Sequence, residues 1–342
     1  MNGNNRSAYR RKEDSARSLL IGGIVLVSIA IATVGFFLSA ELFGWFDKPP
    51  VNNTINSETP VAKFNTTELE VLGGDVHKGD LILINETYKY VFPESEISPV
   101  SILDTTLRKK HTYTNAAGET KEAFSYYSQS YDGCAQLELE TLKALIAWTD
   151  AFSITNNNID LFIYNEDGYR TAAKQEALYA KKPTSYATSG ASEHHTGKVI
   201  DLYGQVSSND PIHRLDDAVY KATYQWLYDN AYKYGFVLRY PAEKAATTGV
   251  EYEPYHFRQV GYAHAYYMYK NNLCLEEYLE LLRGRTAEAP LEFKGDDGNK
   301  YMVYYQAASA EATTKLTVPA DYSYTVSGDN MGGFIVTVNV GK

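Results

Sequence analysis

The apolar positions along this chain change rhythm several times. Ser18 to Ala40, SLLIGGIVLVSIAIATVGFFLSA, is 23 residues without a charge, long enough to cross a hydrocarbon layer about 30 Å thick as a helix. Residues 41–68 follow without a period and are rich in Pro, Asn and Thr, the composition of a tether. GDLILINETYKYVF (79–92) alternates or runs apolar as strands do, with Asn-Glu-Thr as a turn between them. Residues 69–115 thus read as a small, leading β-rich segment.

Helical spacing then takes over. CAQLELETLKALIAWTDAF places Leu137, Leu142, Leu145, Ile146 and Trp148 along one face. LFIYN (161–165) is a short buried strand, TAAKQEALYAKK a helix and KVIDLYG another strand. AVYKATYQWLYDNAYKYG is a helix stopped by Gly235. FVLRYP, ended by Pro241, and YHFRQV are further strands, and residues 262–271 and 275–283 further helices. Residues 116–284 therefore form an α+β core, with a central antiparallel-type sheet and flanking helices. Beyond Arg285 the period of two returns in KYMVYYQA, TKLTVP, YSYTVSG and GFIVTVNV. Residues 285–342 are a small β-rich module, either independent or a sheet extension packed on the core.

Charge changes this picture in two places. The formal net charge of −10 excludes a nucleic-acid binder built on a basic face. Residues 1–17, however, carry five basic side chains against two acidic ones. A basic tail before an apolar span predicts a cytoplasmic N-terminus, a transmembrane anchor at 18–40 and an extracytoplasmic remainder. A cleaved signal peptide is the alternative, although its apolar region is normally about 7–15 residues. Cys134 and Cys274 form either a disulfide or two free thiols.

Two neighbourhoods that pair histidine with acids stand out: SEHHTGKVID (192–201) and EYEPYH (251–256). No H-E-x-x-H helix, phosphate-binding glycine loop or G-x-S-x-G elbow is present. Ser192 beside His194 is a weak basis for a serine hydrolase, because nothing in an extended segment controls their contact. A straight strand from His194 to Asp201 would separate them by roughly 23 Å. Gly197 lets the chain fold back instead. On a period of two, Asp201 shares a face with Val199 and Tyr203, while Ile200 and Leu202 face the core. An acid so placed needs a partner or a cation. Pro254 keeps Glu253 out of helical backbone, so Glu253 and His256 sit on irregular or extended chain. His194, Asp201 and His256 around a zinc ion, with Glu253 as base, and a buried salt-bridge network explain these residues equally well.

SEHHTGKVID matches S-x-H-x-x-G-x-[AV]-x-D, and EPYH matches E-x-W-H with tyrosine for tryptophan. Together they resemble the VanY-like D-alanyl-D-alanine carboxypeptidases, zinc peptidases of bacterial cell walls. DGYRT, GFVLRYP and YHFRQVGYAHA follow that family in order and spacing, and the resemblance covers about residues 115–284. It implies zinc (Zn2+) bound by His194, Asp201 and His256, with Glu253 as general base. It also implies Arg170 as clamp for the substrate's terminal carboxylate, and Ser192 and Gln175 lining the pocket. His195 falls on a variable motif position and is expected to face solvent. His264 is expected to be structural.

The implied function is a membrane-anchored zinc D,D-carboxypeptidase that trims the terminal D-alanine of peptidoglycan stem peptides. An L,D-carboxypeptidase acting on tetrapeptide stems would use the same zinc constellation. A non-catalytic wall-binding protein is the reading from another class, against which the presence of Glu253 argues.

Overall fold

Helix α1 (Leu139–Thr155) turns Leu142, Leu145, Trp148, Thr149 and Phe152 inward, and the Glu138 carboxylate caps it by accepting the Thr141 amide. That face packs on Ile200, Leu202, Phe236 and Phe257. The Trp148 ring stacks on Phe236 at 5.1 Å between centroids and meets Phe257 edge-on at 4.9 Å. Each aromatic or aliphatic side chain buried there contributes about 1.5–3 kcal/mol, so α1 is the buttress of the sheet beneath it.

The computed structural model describes residues 64–342 apart from 94–96, 116, 129–133, 157–159 and 206–210. Every described residue belongs to one compact unit, which begins at Pro60. The basic tail, the span 18–40 and the linker up to residue 63 lie outside the described residues. No helix among those described is long and apolar enough to cross a membrane.

In chain order the elements that position the site are β1 (Thr66–Leu72), α1, β2 (Asp160–Ile163), α2 (Ala172–Lys181), β3 (Val199–Asp201) and β4 (Tyr203–Gln205). They continue with α3 (Lys221–Asn230), β5 (Phe236–Leu238), β6 (His256–Gln259), α4 (Tyr262–Asn271) and α5 (Leu275–Arg283). Strands β5, β6 and β3 form an antiparallel sheet in that order, with His256 opposite Asp201. The single strand expected over KVIDLYG is two. It breaks at Leu202, whose amide turns to the Tyr255 carbonyl, and β4 then joins β2 in a second sheet. In that sheet β2 also pairs in parallel with Tyr127–Ser128. The core is therefore mixed α/β, with an antiparallel sheet at the histidine motifs.

The strands expected over 79–92 are absent, although Leu81, Ile82, Leu83 and Ile84 are all buried. Their backbone is satisfied by the C-terminal segment rather than by a neighbouring ladder: the Leu81 amide donates to Ser327 Oγ and the Leu83 amide to the Asp329 carbonyl. The turn at Asn85 is present, its Oδ1 accepting the amides of Thr87 and Tyr88.

After α5 come β7 (Leu291–Lys294), β8 (Lys300–Ala307), β9 (Thr313–Pro319), β10 (Ser323–Gly328) and β11 (Gly333–Gly341). Four of them make an antiparallel sheet in the order β7, β8, β11, β10, while β9 pairs along its length with β1. One apolar cluster joins Leu291, Val303 and Ile335 of these strands to Val237, Ala265, Met268 and Leu279. The C-terminal strands thus share a core with α4 and α5. Cys134 and Cys274 are free thiols.

Candidate metal centre and catalytic cleft

The fold-back at Gly197 brings the first motif to itself. Glu193–Thr196 is a single 3-10 turn that ends on Gly197 at φ +68°, where an L side chain is strained. A side chain there would also crowd the Glu138 backbone amide, which donates to the Gly197 carbonyl. The chain re-enters as β3, and the β3–β6 register sets His256 across from Asp201.

The resulting cluster is compact. His194 Nε2 lies 3.4 Å from Asp201 Oδ2, and His256 Nδ1 lies 3.0 Å from Asp201 Oδ1. One ligand atom from each of the three residues falls within 4.8 Å of the others, and all three side chains are buried. His194 Nδ1 donates to the Gly168 carbonyl at 2.7 Å, which leaves Nε2 free to coordinate. Despite its burial, Asp201 Oδ1 makes no well-aligned hydrogen bond, its nearest nitrogen being His256 Nδ1. Two imidazoles and a carboxylate in this arrangement fit a zinc ion with an open fourth position.

Electrostatics set the protonation of the cluster. Burial would raise the Asp201 carboxyl, but His194 and His256 outweigh it and hold it well below the usual carboxylate range. Burial and the Arg170 guanidinium push His194 down to about 4 despite Asp201, so it is neutral at physiological pH. Burial would also lower His256, but Asp201 together with Glu193 and Glu253 raises it to about 9. Glu253 Oε2 sits 3.4 Å from His256 Nδ1. Its carboxyl is raised, chiefly by burial, which makes it a stronger base than a solvated glutamate.

These residues border a cleft of about 860 Å³, into which Glu253, Arg170, Gln175, Ser192 and Tyr255 all face. Arg170 is buried, with Nη2 3.6 Å from Asp201 Oδ2. Its Nε donates to the Glu166 carbonyl and Nη1 to Gln175 Oε1, while Gln175 Nε2 donates to the Ala187 carbonyl. Gln175 therefore links the arginine to the cleft wall formed by residues 182–187. Tyr255, which stands where the motif carries tryptophan, stacks on Tyr203 at 5.4 Å. All seven residues singled out in the sequence meet in one cleft.

Two local expectations are corrected. His195 does not face solvent; it is fully buried. Its Nδ1 donates to the Arg170 carbonyl, its Nε2 accepts the Gly190 amide, and Phe92 meets its ring edge-on. The 3-10 turn sends it inward, because adjacent residues on a helical turn do not alternate as they do on a strand. Val199 is also buried, as both faces of β3 are covered. His264 is structural as expected, bonded to the Tyr278 hydroxyl and to Thr337 Oγ1.

Glu193, Arg239, Arg258 and Glu276 carried no expectation from the sequence; the first three are buried, and Glu193, Arg239 and Glu276 border the same cleft. Arg239 Nε donates to Glu193 Oε1 at 2.9 Å, and its two terminal nitrogens hold Glu276 at 2.9 and 2.6 Å. A signal was available: an arginine inside a short apolar strand, as in FVLRYP and YHFRQV, requires a buried acid to meet it.

Residues 136–262 match the profile of VanY, D-alanyl-D-alanine carboxypeptidase. A D-alanyl-D-alanine carboxypeptidase of Enterococcus faecium is 31% identical over 299 residues, which span 87% of this chain and 86% of that protein. The bifunctional D-Ala-D-Ala dipeptidase and carboxypeptidase VanXYC of Enterococcus gallinarum is 36% identical over 128 residues, 34% of this chain and 65% of that protein. Among solved structures, the vancomycin-resistance D,D-dipeptidase VanXYg superposes with a TM-score of 0.62 at 23% identity, covering 80% of this chain and 99% of that one. That likeness extends the shared fold beyond the region between the two motifs. The chain belongs to the VanY family of D-alanyl-D-alanine carboxypeptidases.

Proposed function

We propose that this protein is a membrane-anchored, zinc-dependent D,D-carboxypeptidase that removes the terminal D-alanine from peptidoglycan stem peptides. The observation that carries the reading is the convergence of His194, Asp201 and His256 beside Glu253 in a cleft that also holds Arg170. A zinc ion held by those three residues would lower the pKa of a bound water to about 7 and polarise a substrate carbonyl.

The chain's own groups supply the rest. Glu253 takes the water proton on Oε2 and delivers it to the departing amine of D-alanine. Its raised carboxyl suits both halves of that transfer. Arg170 binds the free carboxylate of the substrate, because its Nε and Nη1 are tied down and Nη2 is turned toward the cluster. Gln175 and Ser192 line the place where the terminal residue sits. The span 18–40, behind its basic tail, anchors the chain with the N-terminus cytoplasmic and the cleft on the wall side.

The test is release of D-alanine from stem tripeptide, tetrapeptide and pentapeptide by the zinc-loaded protein. Cleavage of the pentapeptide is expected. Release from the tetrapeptide alone would replace this reading with an L,D-carboxypeptidase, and release from none would remove the enzymatic one.

A further inference from the structure

Glu193 stands between Ser192 and His194, and the chemistry above gives it no task. It is fully buried, where an ionised carboxylate is costly unless paired. Its two oxygens are served differently. Oε1 takes Arg239 Nε at 2.9 Å and lies 3.5 Å from Arg258 Nη1. Oε2 has no hydrogen-bond partner and lies 3.6 Å from His256 Nε2, a buried nitrogen that also has none. The opposite ring nitrogen, Nδ1, faces Asp201 and Glu253. Two unsatisfied polar atoms are thus left facing each other on the side of His256 away from the metal cluster.

The carboxylate is itself flanked by two arginines. Arg239 bridges it to Glu276 at the start of α5, and Arg258 lies one strand position from His256's neighbour Phe257. The two arginines balance the two acids, so Glu193 stays ionised and its second oxygen remains available as an acceptor.

We propose that Glu193 is a positioning residue for the metal centre: its Oε2 accepts the Nε2–H of His256, fixing the ring and its tautomer so that the Nδ1 lone pair is presented to the metal. Closing the contact to an ordinary hydrogen bond needs a movement of about half an ångström. The proposal rests on the zinc reading. Carboxylates that orient a ligating imidazole typically contribute 10- to 100-fold in metal affinity.

The experiment measures zinc affinity by competition with a chelator in the full-length protein, for wild type and Glu193→Gln, with the melting temperature of each metal-free form. The expected result is zinc binding weakened roughly 10- to 100-fold in the variant. Equal affinity in the two proteins, with wild type binding tightly, would overturn the positioning role and leave the metal site standing. Absence of zinc binding by wild type would instead remove the metal reading itself. A second measurement needs no variant: in zinc-loaded wild type with 15N-labelled histidine, His256 is expected to be protonated on Nε2, with that proton shifted downfield by its bond to the carboxylate. Protonation on Nδ1, or an Nε2 proton at the position of an unbonded imidazole, would refute the assignment.

Discussion

Asp201 and His256 are direct partners across the β3–β6 ladder, with Oδ1 and Nδ1 3.0 Å apart. The relationship is made by backbone pairing, so these two groups meet wherever the sheet forms. His194 is brought to them by the turn at Gly197. The three side chains are thus brought together by a ladder and one tight turn.

His256→Ala is therefore expected to abolish zinc loading, measured as metal per protein by elemental analysis. Zinc at 100 times its dissociation constant should stabilise the wild type by about 2.7 kcal/mol, seen as a raised melting temperature. The variant should show no such rise. Stoichiometric zinc in the variant would mean that the ion sits elsewhere.

Glu253→Ala separates binding from catalysis. The Glu253 carboxylate lies 3.4 Å from His256 Nδ1 and borders the cleft. Zinc content should stay at the wild-type level while D-alanine release falls by about 10²- to 10⁴-fold. Unchanged turnover would refute its assignment as base.

Arg170→Lys keeps the charge and removes the fork. The lysine cannot satisfy the Glu166 carbonyl and Gln175 together while meeting a carboxylate with two bonds. A loss of about 1.5–3 kcal/mol in transition-state binding is expected, roughly 10- to 100-fold in kcat/KM. A stem peptide amidated at its C-terminus should show little difference between the two proteins. An equal loss on both peptides would make Arg170 structural.

His264 gives a pH dependence independent of metal. Burial depresses its pKa to about 4, against about 6.5 in an unfolded chain. The folded state thus favours the neutral ring, and the stability it contributes is complete above pH 6.5 and lost as pH falls through 4. The loss approaches about 3 kcal/mol. The difference in unfolding free energy between wild type and His264→Gln should shrink over that interval, followed by denaturant titrations at several pH values. A difference that does not change with pH would place the ring in a solvated setting.

Much of this was legible along the chain. The two helices after Gly261, the run of α1 and the positions of His194, Asp201, Glu253 and His256 follow from apolar spacing and short motifs. What misled was local rhythm. Leu81 to Ile84 read as strand because four apolar residues in a row are buried, yet their partners are an Asp329 carbonyl and a Ser327 hydroxyl nearly 250 residues away. His195 read as exposed because it falls on a variable position of the motif. The 3-10 turn there points both histidines inward.

By itself, the sequence determined which residue types carry the chemistry and the short-range geometry that Gly197 and Pro254 impose, because those depend only on backbone sterics within a few residues. Only the tertiary structure decided the β3–β6 register, the pairing of β1 with β9, and the buried assembly of Glu193, Arg239, Arg258 and Glu276. Each of these joins residues far apart in the chain, and burial there makes a charge costly until its distant partner arrives.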